Sequence, residues 1–168
     1  MTSLSNFFLS ENVKKKLSDT SALKMALSSG KTVQDILEFS DETMAKFYQA
    51  AYHLFENKRD TEATNAFLFL ATLNPYNHEY WLGLGMAAQR SGEYEAAIDA
   101  YEMAAILDIE SPVPYFYLAK CLFAIHDRES SLQALDLAIE YAADREEFFD
   151  LKLQAVEARK LLIIDHES

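Results

Sequence analysis

Residues 81–104 read WLGLGMAAQRSGEYEAAIDAYEMA, and this stretch decides the fold class. Small residues at Gly85 and Ala97 would let two helices cross closely, and the aromatic ring of Tyr101 would fill the space beside the crossing. Gly92 lies between the two segments, where a glycine can end a helix in the left-handed conformation. The stretch therefore predicts a pair of packed helices.

The same pattern recurs on both sides of this stretch with a period of about 34 residues. Aromatic or large residues share two columns of the repeat and small residues share two others. The columns are Phe47, Trp81 and Tyr115; Ala51, Gly85 and Ala119; Ala63, Ala97 and Ser131; and Phe67, Tyr101 and Leu135. This period with these columns resembles the tetratricopeptide repeat, so we predict an all-α solenoid of three tandem repeats.

The turn and cap signals place the individual helices. We expect helix pairs at about 42–57 and 60–73, at 78–91 and 94–107, and at 112–125 and 128–142. A further helix from about 145 to 163 would cap the open end of the stack. The third repeat is the weakest, with Ser131 at a small position and Ala143 where a proline is often found.

Two short apolar stretches precede the repeats, at 22–27 and 33–37, with Gly30 as a break and Thr32 as a cap for the second. Either the first repeat or another copy of the chain would cover them. The predicted division begins with a flexible arm at 1–19 and an N-terminal helical segment at 20–40 that could mediate dimerisation. The three repeats follow within 41–143, at about 44–77, 78–111 and 112–145. A C-terminal capping helix and tail occupy 144–168.

Charge and composition limit the classes of partner and the compartment. The net charge is −12, from 27 acidic and 15 basic side chains, so the chain should repel nucleic acids and anionic membranes. Its only basic cluster, residues 14–16, is better explained as part of a solvated arm. The single Cys121 cannot form an intramolecular disulfide, which favours a reducing cytoplasm. The N-terminal apolar piece is too short for a secretory signal, and no apolar run approaches the roughly 20 residues of a membrane span.

No residue pattern indicates catalysis, a metal or a cofactor. The histidines do not pair at the i, i+4 spacing of a helical metal site; they are His53, His78, His126 and His166. Cys121 has apolar neighbours and is predicted to be a buried core residue. The run at 83–85 lacks the further glycine or Gly-Lys-Ser/Thr of a phosphate loop. We therefore expect a protein that is not an enzyme.

The concave face of such a stack is the predicted binding site. The residues expected to face a partner are Tyr48, Tyr52 and Phe55 in the first repeat, Leu82, Met86 and Gln89 in the second, and Phe116, Lys120 and Phe123 in the third. A solvent-facing helix surface is normally polar, so this mostly apolar set favours an extended peptide with apolar anchors, whose backbone Lys120 and Gln89 could bond. Alternatively, some of these residues pack between helices or beneath the N-terminal segment.

One ligand class is disfavoured by the residues on the same face. Tetratricopeptide proteins that bind the C-terminal carboxylate of heat-shock chaperones use a Lys/Asn/Arg clamp on the first helices. The matching positions of this chain are Tyr48, Tyr52, Gly83, Val113 and Tyr117.

Several motifs over residues 30–142 are similar to those of one bacterial family. They are Gly30-Lys31-Thr32, Phe47-Tyr48-Gln49-Ala50-Ala51-Tyr52, Tyr80-Trp81-Leu82-Gly83-Leu84-Gly85, Gly92-Glu93-Tyr94 and Ala119-Lys120-Cys121-Leu122. The chain resembles the class II chaperones of bacterial type III secretion, the SycD/LcrH group. It departs from that group at Pro112-Val113-Pro114, where many members have a single proline and then a basic residue.

The resemblance implies a function that the residues alone do not establish. It implies a chaperone of the bacterial cytoplasm that holds hydrophobic translocator proteins before export, by an extended segment near the cargo's N-terminus and without nucleotide. It also implies a homodimer formed through the N-terminal helices. The alternative is a general bacterial tetratricopeptide scaffold or assembly factor with a folded partner.

Overall fold

The computed structural model describes residues 11–167, without the side chains of residues 13, 14, 17 and 165–167. The described residues form helices joined by turns, and no strand occurs among them. They belong to two compact units, which are treated separately: a first unit that ends at Tyr76 and a second unit that begins at Asn77.

The first unit is built around one helix pair. Its helices are α1 (Glu11–Ser18), α2 (Thr20–Ser28), α3 (Val33–Leu37), α4 (Asp41–Glu56) and α5 (Asp60–Leu73). The α4 helix begins after Ser40, whose side chain accepts a hydrogen bond from the Thr43 amide. Ala51 of α4 and Ala63 of α5 are fully buried, so the small columns of the repeat lie inside the pair.

The segment before this pair differs from the expected arm. Residues 11–18 form the helix α1, and Lys16 Nζ lies 2.7 Å from Glu38 Oε2 at the end of α3. The placement of Glu11 in the first turn and lysines in the last turn suits the helix dipole. The remainder of the predicted arm, residues 1–10, lies outside the described residues.

The α3 helix is fastened to the pair by a buried amide. Gln34 donates to the Phe39 carbonyl and to Asp41 Oδ1, and it accepts a hydrogen bond from Asn74 after α5. Thr32 caps α3 as predicted, since its hydroxyl accepts from the Asp35 amide. The first repeat therefore covers α3, one of the two outcomes left open by the sequence.

The second unit continues the repeat. Its helices are α6 (His78–Arg90), α7 (Tyr94–Leu107), α8 (Pro112–Ala124), α9 (Arg128–Ala142) and α10 (Phe149–Glu167), with a 3₁₀ turn at Glu146–Phe148. The α7 helix packs against both α6 and α8, and α9 packs against both α8 and α10. Gly92 has a φ of 79°, so it is the left-handed residue predicted between α6 and α7.

The α6–α7 crossing is tighter than the sequence suggested. An ideal Cβ on Gly85 would lie 2.6 Å from Cε1 of Tyr101, so even alanine would overlap with the ring. This crossing therefore requires glycine at position 85, and not simply a small residue. The ring of Tyr101 is fixed because it stacks on Tyr117, and its hydroxyl donates a 2.7 Å hydrogen bond to Gln89 Oε1.

The third repeat has serine, Ser131, in the column where the other two repeats have alanine, and the structure explains why it is accepted. Ser131 is buried, and its hydroxyl donates a 2.8 Å hydrogen bond to the Ala119 carbonyl of α8. A buried hydroxyl with a partner costs little, so serine can take the place of alanine at this crossing. The predicted all-α fold class, a tetratricopeptide solenoid, is confirmed.

Candidate functional site

In the first unit, three predicted site residues lie together on one face of α4. Tyr48, Tyr52 and Phe55 follow at intervals of four and three residues, which places them on the same side of a helix. The rings of Tyr48 and Tyr52 are 6.0 Å apart between centroids, and those of Tyr52 and Phe55 are 6.1 Å apart. We call these three residues the α4 aromatic row.

In the α4 aromatic row, Tyr48 at one end packs on the core, and Tyr52 in the middle is accessible to solvent. The edge of Tyr48 meets the buried ring of Phe67 on α5, with centroids 6.0 Å apart. Tyr52 is 40% exposed, whereas Tyr48 and Phe55 are half-buried. The row therefore offers a partner a pre-positioned aromatic surface, at little cost in side-chain entropy.

In the second unit, the α6 residues of the predicted site are less accessible than expected. Leu82 and Met86 are half-buried and pack against the core of the unit. Gln89 is also half-buried, and its carbonyl oxygen is bonded to the Tyr101 hydroxyl. Burial raises the pKa of Tyr101, so this hydroxyl stays protonated and remains the donor. Gln89 thus has a structural contact that was not predicted.

The α8 residues present both a cation and an exposed ring. Phe116 is only 5% exposed, whereas Phe123, seven residues later, is 55% exposed. Between them lies Lys120, whose Nζ is 4.3 Å from the centroid of the Phe116 ring, a cation–π distance. Among the described residues Lys120 forms no ion pair, so its ammonium can donate to a carbonyl of a bound chain.

The same α8 residues form one wall of a groove that was not foreseen. We call it the α8–α10 groove; it has a volume of about 740 Å³, and its principal apolar residues are Phe116, Phe123, Leu135, Leu153, Leu161 and Leu162. Four of these, on α9 and α10, are outside the predicted site. For the three leucines on α10, the signal that could have found them is the apolar character of both faces of residues 149–164.

The chemistry of the described residues provides no reactive centre. Cys121 is fully buried on α8, and burial raises the pKa of its thiol to about 11, so it is an inert core residue. Within residues 11–167, no three His, Cys, Asp or Glu side chains are grouped so that they could hold a metal ion. None of the helices in that range is long and apolar enough to cross a membrane.

Comparison with known proteins identifies the family. The tetratricopeptide repeat family matches residues 78–110. The low calcium response locus protein H of Yersinia pestis is 31% identical over 152 residues, which cover 87% of this chain and 89% of that protein. The chain belongs to the class II type III secretion chaperones.

Solved structures of class II chaperones resemble this one closely. The Yersinia enterocolitica chaperone SycD, in complex with a peptide of the translocator YopD, has a TM-score of 0.74 at 28% identity; the match covers 77% of this chain and 98% of that chain. SycD in an alternative dimer has a TM-score of 0.75 at 29% identity, covering 78% and 99%. Class II chaperones are not enzymes, and these relatives favour a chaperone over the general scaffold.

Proposed function

We propose that this class II chaperone binds hydrophobic translocator proteins in the bacterial cytoplasm and keeps them soluble, unassociated and export-competent. The cargo would bind as an extended segment near its N-terminus, through the nine residues predicted on the first helices of the repeats at about 44–77, 78–111 and 112–145. The SycD complex with a YopD peptide supports a translocator segment as the ligand.

The α4 aromatic row is the observation that carries this proposal. Tyr52 and its two neighbours lie side by side on a helix face that a protein without a ligand would fill with polar residues. Tyrosine is the residue type that most often supplies binding energy at protein interfaces, together with tryptophan and arginine. Apolar anchors of an extended cargo segment would pack on the outer surface of the row, whose rings already contact one another in the free protein.

The second unit supplies a different kind of contact. Phe123 is an exposed aromatic residue, and Lys120 places an ammonium group beside it on α8. An extended segment has unpaired backbone carbonyls, and Lys120 would donate to one of them while Phe123 covers an apolar side chain. Leu82 and Met86 would add partly buried apolar area on α6.

Co-expression tests the proposal directly. The probes are the pore-forming translocators of the same secretion system, and the readouts are the soluble fraction of each translocator and its co-purification with the chaperone. We expect the wild-type chaperone to solubilise at least one translocator. The double variant Tyr48→Ala/Tyr52→Ala should reduce the co-purified amount at least about tenfold, because two interface rings are lost.

The matched control is Tyr76→Ala, which removes an exposed tyrosine of the same unit outside the nine predicted residues. This control should retain translocator binding, and circular dichroism should show native helix content in both variants. The proposal fails if no translocator is solubilised, or if the double variant co-purifies as much cargo as the wild type.

A further inference from the structure

The α10 helix carries apolar side chains on more sides than the end of a solenoid requires. One face packs on the core, since Ala155 is fully buried and Leu162 is nearly so. Another side exposes Leu153 and Leu161, which are 53% and 65% accessible. Capping helices of repeat proteins need a polar outer face for solubility, so capping does not explain these two leucines.

The two exposed leucines border the α8–α10 groove. Leu153 and Leu161 are eight residues apart and form its α10 side, with Glu157 between them. Phe123 borders the opposite, α8 side. Eight residues of helix span about 12 Å, which is the length of roughly four residues of an extended peptide.

The floor of the groove is effectively apolar. Leu135 and Phe116 contribute carbon surface, and both are buried. Ser131 is the polar residue of the floor, but its hydroxyl already donates to the Ala119 carbonyl. A volume of about 740 Å³ is within the range of ligand sites and exceeds what a single side chain would fill. The groove therefore suits several apolar side chains in succession.

The position of the groove along α8 identifies its occupant. Phe116, Lys120 and Phe123 are cargo-facing positions in the proposed function, and all three also line the groove. A cargo segment that binds along α8 would thus reach the groove while it stays in contact with that helix. A second copy of the chain is a poorer occupant, because the expected homodimer forms through the N-terminal helices and not through α8 or α10.

We propose that the α8–α10 groove binds an apolar stretch of the translocator cargo that is continuous with the segment on the first helices, with Leu153 and Leu161 as binding residues. This inference rests on the proposed function and extends it to a helix that was predicted only as a cap. The ligand is a run of aliphatic or aromatic side chains in an extended backbone. Lys120, at the α8 border, would bond a carbonyl of that backbone.

Binding measurements with α10 variants test the inference. The probe is the soluble N-terminal region of a translocator that co-purifies with the wild-type chaperone, and the readout is its Kd by calorimetry. We expect Leu153→Ser/Leu161→Ser to weaken binding about tenfold or more, since two apolar contacts are lost. Both side chains are largely exposed, so the thermal midpoint of the chaperone alone should change little.

The control variants separate this inference from the proposed function. Ile106→Ser removes an equally exposed aliphatic residue of the same unit that does not line the groove, and it should leave the Kd unchanged. If Tyr48→Ala/Tyr52→Ala weakens binding but Leu153→Ser/Leu161→Ser does not, the groove inference is wrong and the proposed function stands. If neither pair weakens binding, both proposals are wrong.

Crosslinking identifies what enters the groove. A photoreactive phenylalanine at position 161 should crosslink to the translocator when the complex is irradiated. A crosslink only to a second copy of the chaperone, or only to another part of the same chain, at saturating cargo would overturn the inference. Mass spectrometry of the crosslinked peptide should locate the contact in an apolar stretch of the cargo.

Discussion

Tyr101 connects three contacts of the second unit through one side chain. Its ring occupies the space that a Cβ on Gly85 would need, and it stacks on the ring of Tyr117 with centroids 5.7 Å apart. Its hydroxyl donates a hydrogen bond to Gln89. Gln89 and Tyr117 belong to α6 and α8, the helices on either side of α7. The fit of this single ring therefore determines how closely three successive helices pack.

Gly85→Ala should destabilise the protein even though alanine is the better helix former. The new methyl group would overlap the Tyr101 ring, and overpacking of this kind costs about 1–3 kcal/mol. Helix propensity returns at most about 1 kcal/mol, which leaves a net loss of up to about 2 kcal/mol. Urea denaturation measures the difference. The combination with Tyr101→Leu should cost less than the sum of the two single changes, because the smaller side chain relieves the overlap. Additive losses would show that the ring is not the cause.

At the scale of helices, the backbone conformation of Ala143 sets the direction in which the chain leaves α9 towards α10. Ala143 has a φ of 45°, and its amide donates to the Ile139 carbonyl at the end of α9. Lys152 on α10 donates to the Ala143 carbonyl, so the same residue is held from both sides. A tetratricopeptide repeat often has proline here, but proline fixes φ near −65° and has no amide hydrogen.

Two substitutions at position 143 should have opposite effects. Ala143→Gly should stabilise the protein by about 1 kcal/mol, because glycine adopts a positive φ without the strain that a Cβ causes. Ala143→Pro should destabilise it by about 3 kcal/mol, because the ring excludes this φ and removes the hydrogen bond to Ile139. Thermal and urea denaturation of both variants check the signs. Stabilisation by proline would mean that the link does not have this conformation.

At the scale of the whole molecule, apolar surface remains at the two ends of the sequence. In the first unit α2 has no buried residue, and its Met25 is 76% exposed, with Leu27 also accessible. In the second unit the uncovered surface is the α8–α10 groove. Both surfaces are left uncovered by the residues that the structure describes, and we propose a second copy for α2 and cargo for the groove.

Met25→Glu should convert the proposed homodimer to a monomer. A carboxylate at this exposed position would be desolvated in an interface, while the isolated chain could keep it in water. Light scattering coupled to size-exclusion chromatography measures the mass over a range of concentrations. Lys24→Glu, which changes the charge of an adjacent residue that is already polar, is the control and should remain dimeric. A monomeric wild type would contradict the proposal, and so would a dimeric Met25→Glu variant.

The repeat columns predicted the helices α4 to α9 within a residue or two of their observed ends, because helix periodicity and caps are local properties. Thr32 and Gly92 could likewise be assigned before the fold was known, since a cap hydroxyl or a left-handed glycine acts on its nearest neighbours in the chain. The α4 aromatic row follows from the same argument, as residues spaced by three and four share a helix face.

The sequence by itself thus determined the class of fold, the helix pairs and the residue types on the first helices. Only the tertiary structure decided that Phe116 is buried, that Gln89 is engaged by Tyr101, and that Leu153 and Leu161 border a groove. The physical reason is that periodicity shows which residues share a face of a helix, whereas burial depends on which distant helix covers that face. For α10 both apolar sides are visible in the sequence, but packing against α9 selects the one that becomes core and leaves the other exposed.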